Sequence, residues 1–269
     1  MTEIFVLIIT YNEEKNIEYL LKNISKLTKK IYILDSYSND NTIEICKKYT
    51  KNIYYNKFEN FFLQRKKLID IVDKITNKKL NTWYLFLDSD EYLMDDLINE
   101  IFEKLPNTKY DAFYIKRRFI WNNVWIKRGY YPVKLLRLIK SNMVDLNQRI
   151  VNEHYLCKSN KISTFENDFV DHNRKNFFDW FHKHNSYAKL ECKVYFENRI
   201  YKNKLHYIWD KMPLLIRPLI LLIYRIVFKL GFLDGPRAIF YHFLHSFVYR
   251  LLIDIYIIKW FFIRFLKKK

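Results

Sequence analysis

The chain has 269 residues, half of them hydrophobic, so it is long enough to bury one full core and to carry an additional segment. Its formal net charge of +18 calls for an anionic partner or surface. Its three cysteines are widely spaced and include no Cys-x-x-Cys pair, which excludes a disulfide framework and favours reduced thiols in a cytoplasmic protein.

The N-terminal half alternates between short apolar runs and segments with helical spacing. The apolar runs predict buried strands, and the spacing of Ile17, Leu20 and Leu21 predicts an amphipathic helix between two of them. Asn41, followed three residues later by Glu44, is typical of a capping box at the start of the second helix. Repeated strand–helix alternation predicts an α/β fold, with a mostly parallel sheet and helices on both faces. We expect strands at 3–9, 31–34, 52–55 and 83–87, and helices at 14–27, 42–49 and 60–73.

Polar residues follow three of the predicted strands, at Thr10, Asp35 and Asp88. The carboxyl ends of parallel strands meet at one edge of a sheet, where ligands bind in open α/β folds. Successive side chains alternate in direction along an extended chain, so Asp88 and Asp90, two residues apart, point the same way and can share one cation. Carboxylate oxygens that leave room for phosphates suit Mg²⁺ or Mn²⁺. The alternative is a strand end followed by a solvated acidic turn.

The pattern changes after Leu105. Residues 112–120 and 121–126 predict antiparallel strands around a turn at Asn122-Asn123. Residues 133–139 and 148–151 continue the predicted sheet, and residues 177–196 have the spacing of a helix.

Residues 199–269 are both apolar and basic, with 14 Lys and Arg against three Asp. Charges interrupt the apolar stretches, so neither reaches the roughly 18 to 20 uncharged residues of a spanning helix. Arg217, Arg225 and Lys229 fall near one helical face. We therefore expect amphipathic helices in the interface of an anionic membrane, with these basic side chains extending to the headgroups. The alternatives are a buried helical subdomain and a self-association surface.

Several motifs together resemble a known family of enzymes. Thr10-Tyr-Asn-Glu13, Asp35-Ser-Tyr-Ser-Asn-Asp40 and Asp88-Ser-Asp90-Glu91, in this order, resemble family 2 glycosyltransferases, which have the Rossmann-like GT-A fold. Later segments are similar to the lipopolysaccharide-core β-glucosyltransferase subgroup, and the resemblance covers nearly the whole chain. These later segments are Gly129–Pro132, Leu136–Leu138, Val151–Glu153, Trp180–Ala188 and Gly231–Gly235.

The resemblance implies a site for a nucleotide-diphosphate sugar at the sheet edge. Asp35 would accept a hydrogen bond from a uracil ring and so select UDP; its alternative is a turn carboxylate at the strand end. Arg137 would hold phosphate, or it would form a salt bridge inside the sheet. Asp40 is expected to be a local turn or cap residue. The implied donor-binding residues are Thr10, Tyr11, Glu13, Asp35, Gln64, Asp88, Ser89 and Arg137.

The same resemblance implies a divalent metal, Mn²⁺ or Mg²⁺. Asp90 would bind it directly, and Asp88 would reach the ribose or a metal-bound water. His172 would supply a further metal or diphosphate contact, although a lone histidine is more often structural. Glu91 would support these residues or begin the next helix. The metal would neutralise the charge that builds on the leaving diphosphate.

Inversion at the anomeric carbon needs a carboxylate that deprotonates the acceptor hydroxyl. Glu153 is the preferred base, because it occupies the family's His-Glu position. The order departs from the family here, since Asn152 replaces the usual His and His154 follows instead. A structural pairing of Glu153 with Arg149 is the alternative. The other candidates for the base are Asp145, Asp168 and Asp171.

We therefore predict an inverting, metal-dependent hexosyltransferase. It would move a sugar from UDP to a lipid-linked or lipopolysaccharide-type saccharide at the cytoplasmic face of the inner membrane. Residues 1–105 would bind the nucleotide sugar, 106–198 would form the acceptor half of the same domain, and 199–269 would associate with the membrane. The alternatives are a capsule, teichoic-acid or protein glycosyltransferase and a non-enzymatic membrane-docked scaffold. The acidic sheet edge disfavours an RNA-binding protein.

Overall fold

A computed structural model of the chain describes residues 2–77, 81–147, 155–196, 208–209 and 211–266. The chain divides into two compact units. The first unit consists of Met1–Ile120 and Tyr131–Arg174, and the second of Trp121–Tyr130 and Lys175–Lys269. The predicted boundary at residue 198 lies outside the described residues, and residue 105 lies within the first unit.

The first unit contains the strands and helices that the N-terminal pattern predicts, together with a second set of strands. In chain order these are β1 (Glu3–Thr10), α1 (Ile17–Ile24), β2 (Ile31–Asp35), α2 (Thr42–Lys47), β3 (Ile53–Tyr55), α3 (Phe61–Thr76), β4 (Thr82–Asp88), β5 (Glu91–Leu93), α4 (Asp95–Lys104), β6 (Ala112–Trp121, whose last residue belongs to the second unit), β8 (Val133–Lys140), β9 (Val144–Leu146), β10 (Tyr155–Cys157) and β11 (Ile162–His172). The strand β7 (Val124–Trp125) lies in the second unit, after Asn122 and Asn123, which both have positive φ angles as the predicted turn requires.

The main sheet of the first unit has the strand order β3-β2-β1-β4-β8-β6-β11-β5. The strands β3, β2, β1 and β4 run parallel, as strand–helix alternation predicts. The strand β8 is antiparallel to β4 and to β6, and β5 is antiparallel to β11, so the sheet is mixed beyond β4. The short strands β9 and β10 form a separate antiparallel pair.

Two apolar layers cover the two faces of this sheet. Val6 and Ile8 of β1 lie in one buried cluster with the apolar residues of α1 and α4. Phe5 and Leu7 point to the other face and lie in a second cluster with residues of α3. Since successive side chains of a strand alternate between faces, a strand buried on both sides must be apolar over its buried length, as β1 is between Glu3 and Thr10.

The register of the parallel strands brings the polar breaks together. Thr10 of β1 is paired with Asp35 of β2, and Ile9 is paired with Asp88 of β4. All three strands therefore end at the same edge of the sheet. This convergence, which the sequence predicts, is what positions the candidate site.

Two local predictions are wrong. The first helix begins at Ile17 and not at residue 14. The capping box at Asn41 does not form, because the Asn41 side chain makes no cap bond to the helix and instead donates to Glu14. Asp40 takes this place, since its carboxylate accepts hydrogen bonds from the backbone of Thr42 and of Glu14. The prediction that Asp40 is a local turn residue is confirmed.

The second unit is helical. The helix α5 (Phe177–Phe196) has the predicted bounds. It shares a core with the last helix, α8 (Tyr249–Leu266), and this core is formed by Ala188, Cys192, Tyr249, Ile253 and Ile257. The remaining helices are α6 (Ile216–Ile223), which continues as a π-helical turn (Tyr224–Phe228), and α7 (Pro236–His242), which continues likewise (Phe243–Val248).

Of the three basic side chains predicted to extend outward, Lys229 is exposed, but Arg217 and Arg225 do not have the predicted orientation. Arg217 is buried and hydrogen-bonded to the buried carboxylate of Asp254, at 2.8 Å from its Nε. Arg225 donates to the hydroxyls of Tyr130 and Ser246. These two arginines therefore face the interior of the unit and not a headgroup layer. Within the described residues, no helix has the length and apolarity needed to cross a bilayer.

Candidate active site at the sheet edge

The end of β2 is closed by a tight turn. Asp35 is fully buried, and Ser38 donates to it twice, from its backbone N–H to Oδ2 at 2.7 Å and from its hydroxyl to Oδ1 at 2.5 Å. Tyr37, between them, has a φ angle of 63°, in the left-handed region that non-glycine residues rarely adopt. This is the geometry of a strand-end turn, and the role of Asp35 in nucleotide binding stays a prediction.

The end of β1 lies beside this turn. Thr10 is buried, and its hydroxyl has no hydrogen-bond partner among the described residues. Tyr11 is 55% exposed, whereas the Glu13 carboxylate accepts a hydrogen bond from Asn16 at 2.7 Å. The loop after β1 thus offers an unsatisfied hydroxyl and an exposed ring, both of which suit a ligand. Ser38 also ties this loop to the neighbouring turn, since its hydroxyl accepts the Asn12 N–H at 2.8 Å.

Gln64 lies on α3 and is buried below the same edge. Its amide donates to the Ser36 hydroxyl at 2.9 Å, and its carbonyl oxygen accepts from the Asn56 side chain at 2.9 Å. Both contacts hold backbone segments that follow β2 and β3. In this structure Gln64 therefore supports the loops, and its predicted contact with the donor stays a prediction.

Asp88 lies in a network of alternating charges. Its carboxylate accepts from Arg65 at 3.1 Å and from Arg137 at 3.2 Å. Arg137, which is only 5% exposed, also forms a close ion pair with the buried carboxylate of Glu91. The expected alternative for Arg137, a salt bridge within the sheet, is thus present. Glu91 begins the strand β5 and does not begin a helix.

Burial controls the electrostatics of this network. Removal from water raises the pKa of the Glu91 carboxyl, and the adjacent guanidinium of Arg137 opposes that rise. Glu91 in turn raises the pKa of Arg137 against the opposite effect of burial. Each partner therefore compensates the other's buried charge, and loss of either leaves a charge without its counterion.

Asp90 and His172 are neighbours through their backbones, and their predicted binding of a shared metal stays a prediction. The backbone N–H of His172 donates to the carbonyl of Asp90 at 2.8 Å, and the Asn173 side chain donates to Asp90 Oδ2 at 2.9 Å. The pKa of His172 is lowered, first by burial and then by Arg174, while Asp90 opposes the shift. A lowered pKa favours the neutral imidazole, which is the form that binds metal ions.

These residues fit a metal that keeps most of its ligands outside the protein. Within the described ranges, no group of three His, Cys, Asp or Glu side chains is arranged to hold a metal ion. Mg²⁺ is commonly held by one or two carboxylates together with substrate phosphates and waters. Asp90, which is partly exposed at the edge, fits that donor set, whereas Asp88 is held by two arginines.

The candidates for the base differ in their surroundings. Glu153, the preferred one, lies outside the described residues, together with Asn152 and His154. Asp168 is buried and accepts hydrogen bonds from Arg118 and from the hydroxyl of Tyr131 at 3.1 Å. Asp171 pairs with Arg117 at 3.3 Å, and Asp145 is exposed on β9. Asp168 and Asp171 therefore have structural ion pairs.

Sequence reasoning missed several residues of the site. Asn173 and Ser38 hold predicted residues in place, and an Asp followed three residues later by Ser was the available signal for the second. Tyr37 and Tyr55 form an exposed stacked pair at the ends of neighbouring strands, with ring centroids 5.8 Å apart. Tyr155 stacks on Phe86. Only the strand pairing brings these aromatic residues together, so no local pattern could reveal them.

Comparison with known proteins agrees with the fold. The sequence profile of glycosyl transferase family 2 matches residues 5–167, which is more than half of the chain. The chain therefore belongs to glycosyl transferase family 2. Its fold is the GT-A-like α/β fold with additional C-terminal helices, which confirms the predicted fold class.

Individual relatives are distant. An uncharacterised glycosyltransferase of Rickettsia typhi is 25% identical over 154 residues, covering 56% of this chain and 50% of that protein. Glycosyltransferase SunS of Bacillus subtilis is 34% identical over 85 residues, covering 31% of this chain and 19% of SunS. The chain thus spans about half the length of the Rickettsia relative, and less of SunS. The structure of S. aureus TarS with UDP-GlcNAc is 14% identical, with a TM-score of 0.47, over 91% of this chain and 79% of that chain.

Proposed function

We propose that the protein is an inverting hexosyltransferase that uses a UDP-sugar and a divalent metal. The observation that carries the proposal is the convergence of Thr10, Asp35 and Asp88 at the carboxyl edge of one sheet, in a chain of glycosyl transferase family 2. That edge is where α/β folds bind nucleotides.

The nucleotide would lie over the ends of β1 and β2. The unsatisfied hydroxyl of Thr10 can donate to it, and the exposed rings of Tyr11 and Tyr37 can stack against a base. Contact between a uracil ring and Asp35 requires the Ser38 turn to open, because Asp35 is fully buried and is hydrogen-bonded to that turn through both oxygens. The proposed donor set also includes Glu13, Gln64, Asp88, Ser89 and Arg137.

Asp90 and His172 would hold the metal beside the donor diphosphate. The metal supplies Lewis-acid stabilisation of the leaving group. Arg65 and Arg137 already place two guanidinium groups at this edge, where they can attract the phosphates. Asn173 positions Asp90 by donating to one of its oxygens, which leaves the carboxylate oriented before the donor arrives.

Glu153 is proposed as the base that takes the proton of the acceptor hydroxyl. The ion pairs of Asp168 and Asp171 with arginines support this choice, since both carboxylates are already engaged within the protein. The proposed acceptor is a lipid-linked or lipopolysaccharide-type saccharide at the cytoplasmic face of the inner membrane, which matches the basic, apolar character of residues 199–269.

The donor site is tested by thermal unfolding with UDP, GDP or CDP, each with and without Mn²⁺. A ligand at about 100 times its dissociation constant stabilises the folded state by about 2.7 kcal/mol. We expect stabilisation by UDP with Mn²⁺, and its loss in Asp90→Asn. Asp95→Asn is the matched control, because Asp95 is an exposed carboxylate in α4. Equal responses to all three nucleotides, or an unchanged response in Asp90→Asn, would contradict the proposed site.

The base is tested separately with Glu153→Gln. This variant should show the same stabilisation by UDP and Mn²⁺ as the original chain but should fail to transfer sugar, because the amide cannot accept the proton. Transfer is measured as release of UDP in the presence of a saccharide acceptor. Full activity of the variant would show that another residue acts as the base.

A further inference from the structure

The second unit exposes apolar side chains that the proposed site does not use. Between Ile216 and Phe228 these side chains recur at alternating intervals of three residues and one residue, which places them on one face of the helix. We call the exposed apolar side chains of residues 216–266 the apolar surface. In this first segment its members are Ile216, Leu219, Ile220, Ile223, Tyr224, Val227 and Phe228.

The other side of the same segment points inward and carries two arginines together with the half-buried apolar side chains of Leu221, Leu222 and Ile226. Arg217 is 3% exposed and pairs with Asp254, which is 1% exposed. Arg225 lies among polar groups, donating to the hydroxyls of Tyr130 and Ser246. A helix on the surface of a water-soluble protein exposes a polar face to water, whereas this segment exposes an apolar one.

The next segment repeats this inverted arrangement. Ile239, Phe240 and Phe243 are exposed, whereas His242 and Ser246 are fully buried. In α8 the carboxylate of Asp254 is buried, and the exposed apolar residues there are Ile255, Ile258, Phe261, Phe262, Ile263 and Leu266. Exposed apolar side chains thus recur in three segments, so a single exposed residue or a local packing defect does not explain them, while α8 also buries the apolar residues Tyr249, Ile253 and Ile257.

The exposed apolar side chains and the buried charged groups together indicate which medium surrounds these helices. Transfer of an apolar side chain from water to hydrocarbon lowers the free energy, roughly in proportion to the apolar area that leaves water. Charged groups that enter hydrocarbon are paired with one another and face the protein interior. Both features of these segments, the paired charges inside and the apolar side chains outside, match a lipid environment.

The charges that remain exposed in this part of the chain are basic, which favours lipids with anionic headgroups. Within the described part of residues 208–266 both acidic side chains, Asp234 and Asp254, are buried in ion pairs with Arg128 and Arg217. A positive rim attracts the anionic headgroups of a bilayer, whereas a second copy of this chain would bring like charges together. The exposed charged residues of this part are Lys211, Lys229, Arg237, Lys259 and Arg264.

We propose that the apolar surface inserts among the acyl chains of an anionic bilayer, with the basic residues at the headgroups and the Arg217–Asp254 pair enclosed by protein. This replaces the predicted arrangement, in which Arg217 and Arg225 reach the headgroups. The inference deepens the proposed membrane-side action and rests on it. Its test, however, measures lipid binding and needs no donor.

The test is sedimentation of the full chain with vesicles of phosphatidylcholine alone or with about a third phosphatidylglycerol. We expect binding to the anionic vesicles that weakens with salt. Val227→Ser combined with Phe228→Ser should reduce the binding at least tenfold, because both side chains are exposed and lie on the inserted face. Phe102→Ser is the matched control, since Phe102 is 50% exposed but lies on α4 of the first unit.

Insertion is distinguished from adsorption by vesicles with brominated acyl chains, which should quench tryptophan fluorescence of the second unit, where Trp260 lies in α8. Binding without quenching, or an equal loss of binding in Phe102→Ser, overturns the inference. A dimer in buffer that the Val227 and Phe228 substitutions dissociate, without vesicle binding, assigns the surface to a second copy instead. Vesicle binding in a protein that fails the UDP test supports this inference and removes only the proposed donor site.

Discussion

The two units of the chain distribute polar and apolar residues in opposite ways. In the first unit the strands β1, β2 and β4 are buried and apolar, and polar side chains gather where those strands end. In the second unit Arg217, Asp254 and His242 are buried, while residues such as Phe228 are exposed. Both units have defined helices and a core, so the presence of a folded core does not distinguish them.

The difference shows that buried ion pairs can have two different roles in one chain. In the first unit the buried pair of Glu91 and Arg137 lies directly under the proposed ligand edge, where fixed charges orient a substrate. In the second unit the pair of Arg217 and Asp254 lies behind an apolar surface, and it keeps charge away from that surface. Under the two proposals, the same kind of interaction serves ligand binding in one unit and lipid contact in the other.

Breaking the ion pair of the second unit should have the largest effect. Arg217→Ala leaves the buried Asp254 carboxylate without its counterion, so we expect a loss of about 3 to 5 kcal/mol in the free energy of unfolding. Lys26→Ala is the control in the first unit, since the Lys26–Asp95 pair is exposed and should contribute less than about 1 kcal/mol. Denaturant unfolding of the two variants measures both values.

Equal effects of Arg217→Ala and Lys26→Ala would contradict the comparison. In that case the Asp254 carboxylate is either solvated or satisfied by other donors. The N–H of Leu215, which donates to Asp254 at 2.9 Å, is the first such donor to consider. The further variant Asp254→Asn, which keeps an acceptor for that N–H, would then separate the loss of the hydrogen bond from the loss of the charge.

The pH dependence of stability should report on the second unit next. Burial, followed by the nearby Arg225, lowers the pKa of His242 from 6.5 to about 4, against the opposing effect of Asp234. Below pH 6.5 the unfolded chain binds a proton that the folded chain does not, so stability is complete above that pH and falls as the pH drops towards 4. The full shift corresponds to about 3 kcal/mol.

This pH dependence is measured by urea unfolding between pH 7 and pH 4. His242→Asn should flatten the slope in this window, whatever its effect on absolute stability. His182→Asn, which changes an exposed histidine of α5, should leave the slope as it is. A slope that survives in His242→Asn assigns the protons to other groups, of which His184 and His172 are the first candidates because their pKa values are also lowered.

The sequence predicted the first unit better than the second, for a physical reason. Strands β1, β2 and β4 are continuous apolar runs, so their burial on both faces follows from local pattern alone. The edge at Thr10, Asp35 and Asp88 follows from the parallel order of those strands. Partners from distant segments, such as Arg65 and Arg137 at Asp88, depend on side-chain packing that no spacing encodes.

The orientation predicted for the helix of Arg217 and Arg225 was wrong because helical periodicity shows which residues share a face, but not whether that face points to the interior or to the surface. Arg217 and Arg225 do lie on one side of a helix, as predicted, but that side is the inner one. The usual interpretation of an amphipathic helix is that its polar face meets water, and this fails where buried partners for the charges lie elsewhere in the chain. Asp254 and Tyr130 are such partners, at 37 and 95 residues from the arginines they contact.

The smallest expected effect concerns helix ends in the first unit, which should follow the ordinary rules for water-facing helices. Asn60 caps α3, since its side chain accepts the Leu63 N–H at 2.9 Å, so Asn60→Ala should lower stability by about 1 kcal/mol. Asn41→Ala, at the start of α2, should change it by less than about 0.5 kcal/mol, because no cap bond is lost. Denaturant midpoints measured side by side give the two values. If Asn41→Ala costs as much as Asn60→Ala, the capping box predicted at Asn41 exists in solution, and the first unit is closer to its sequence pattern than the structure indicates.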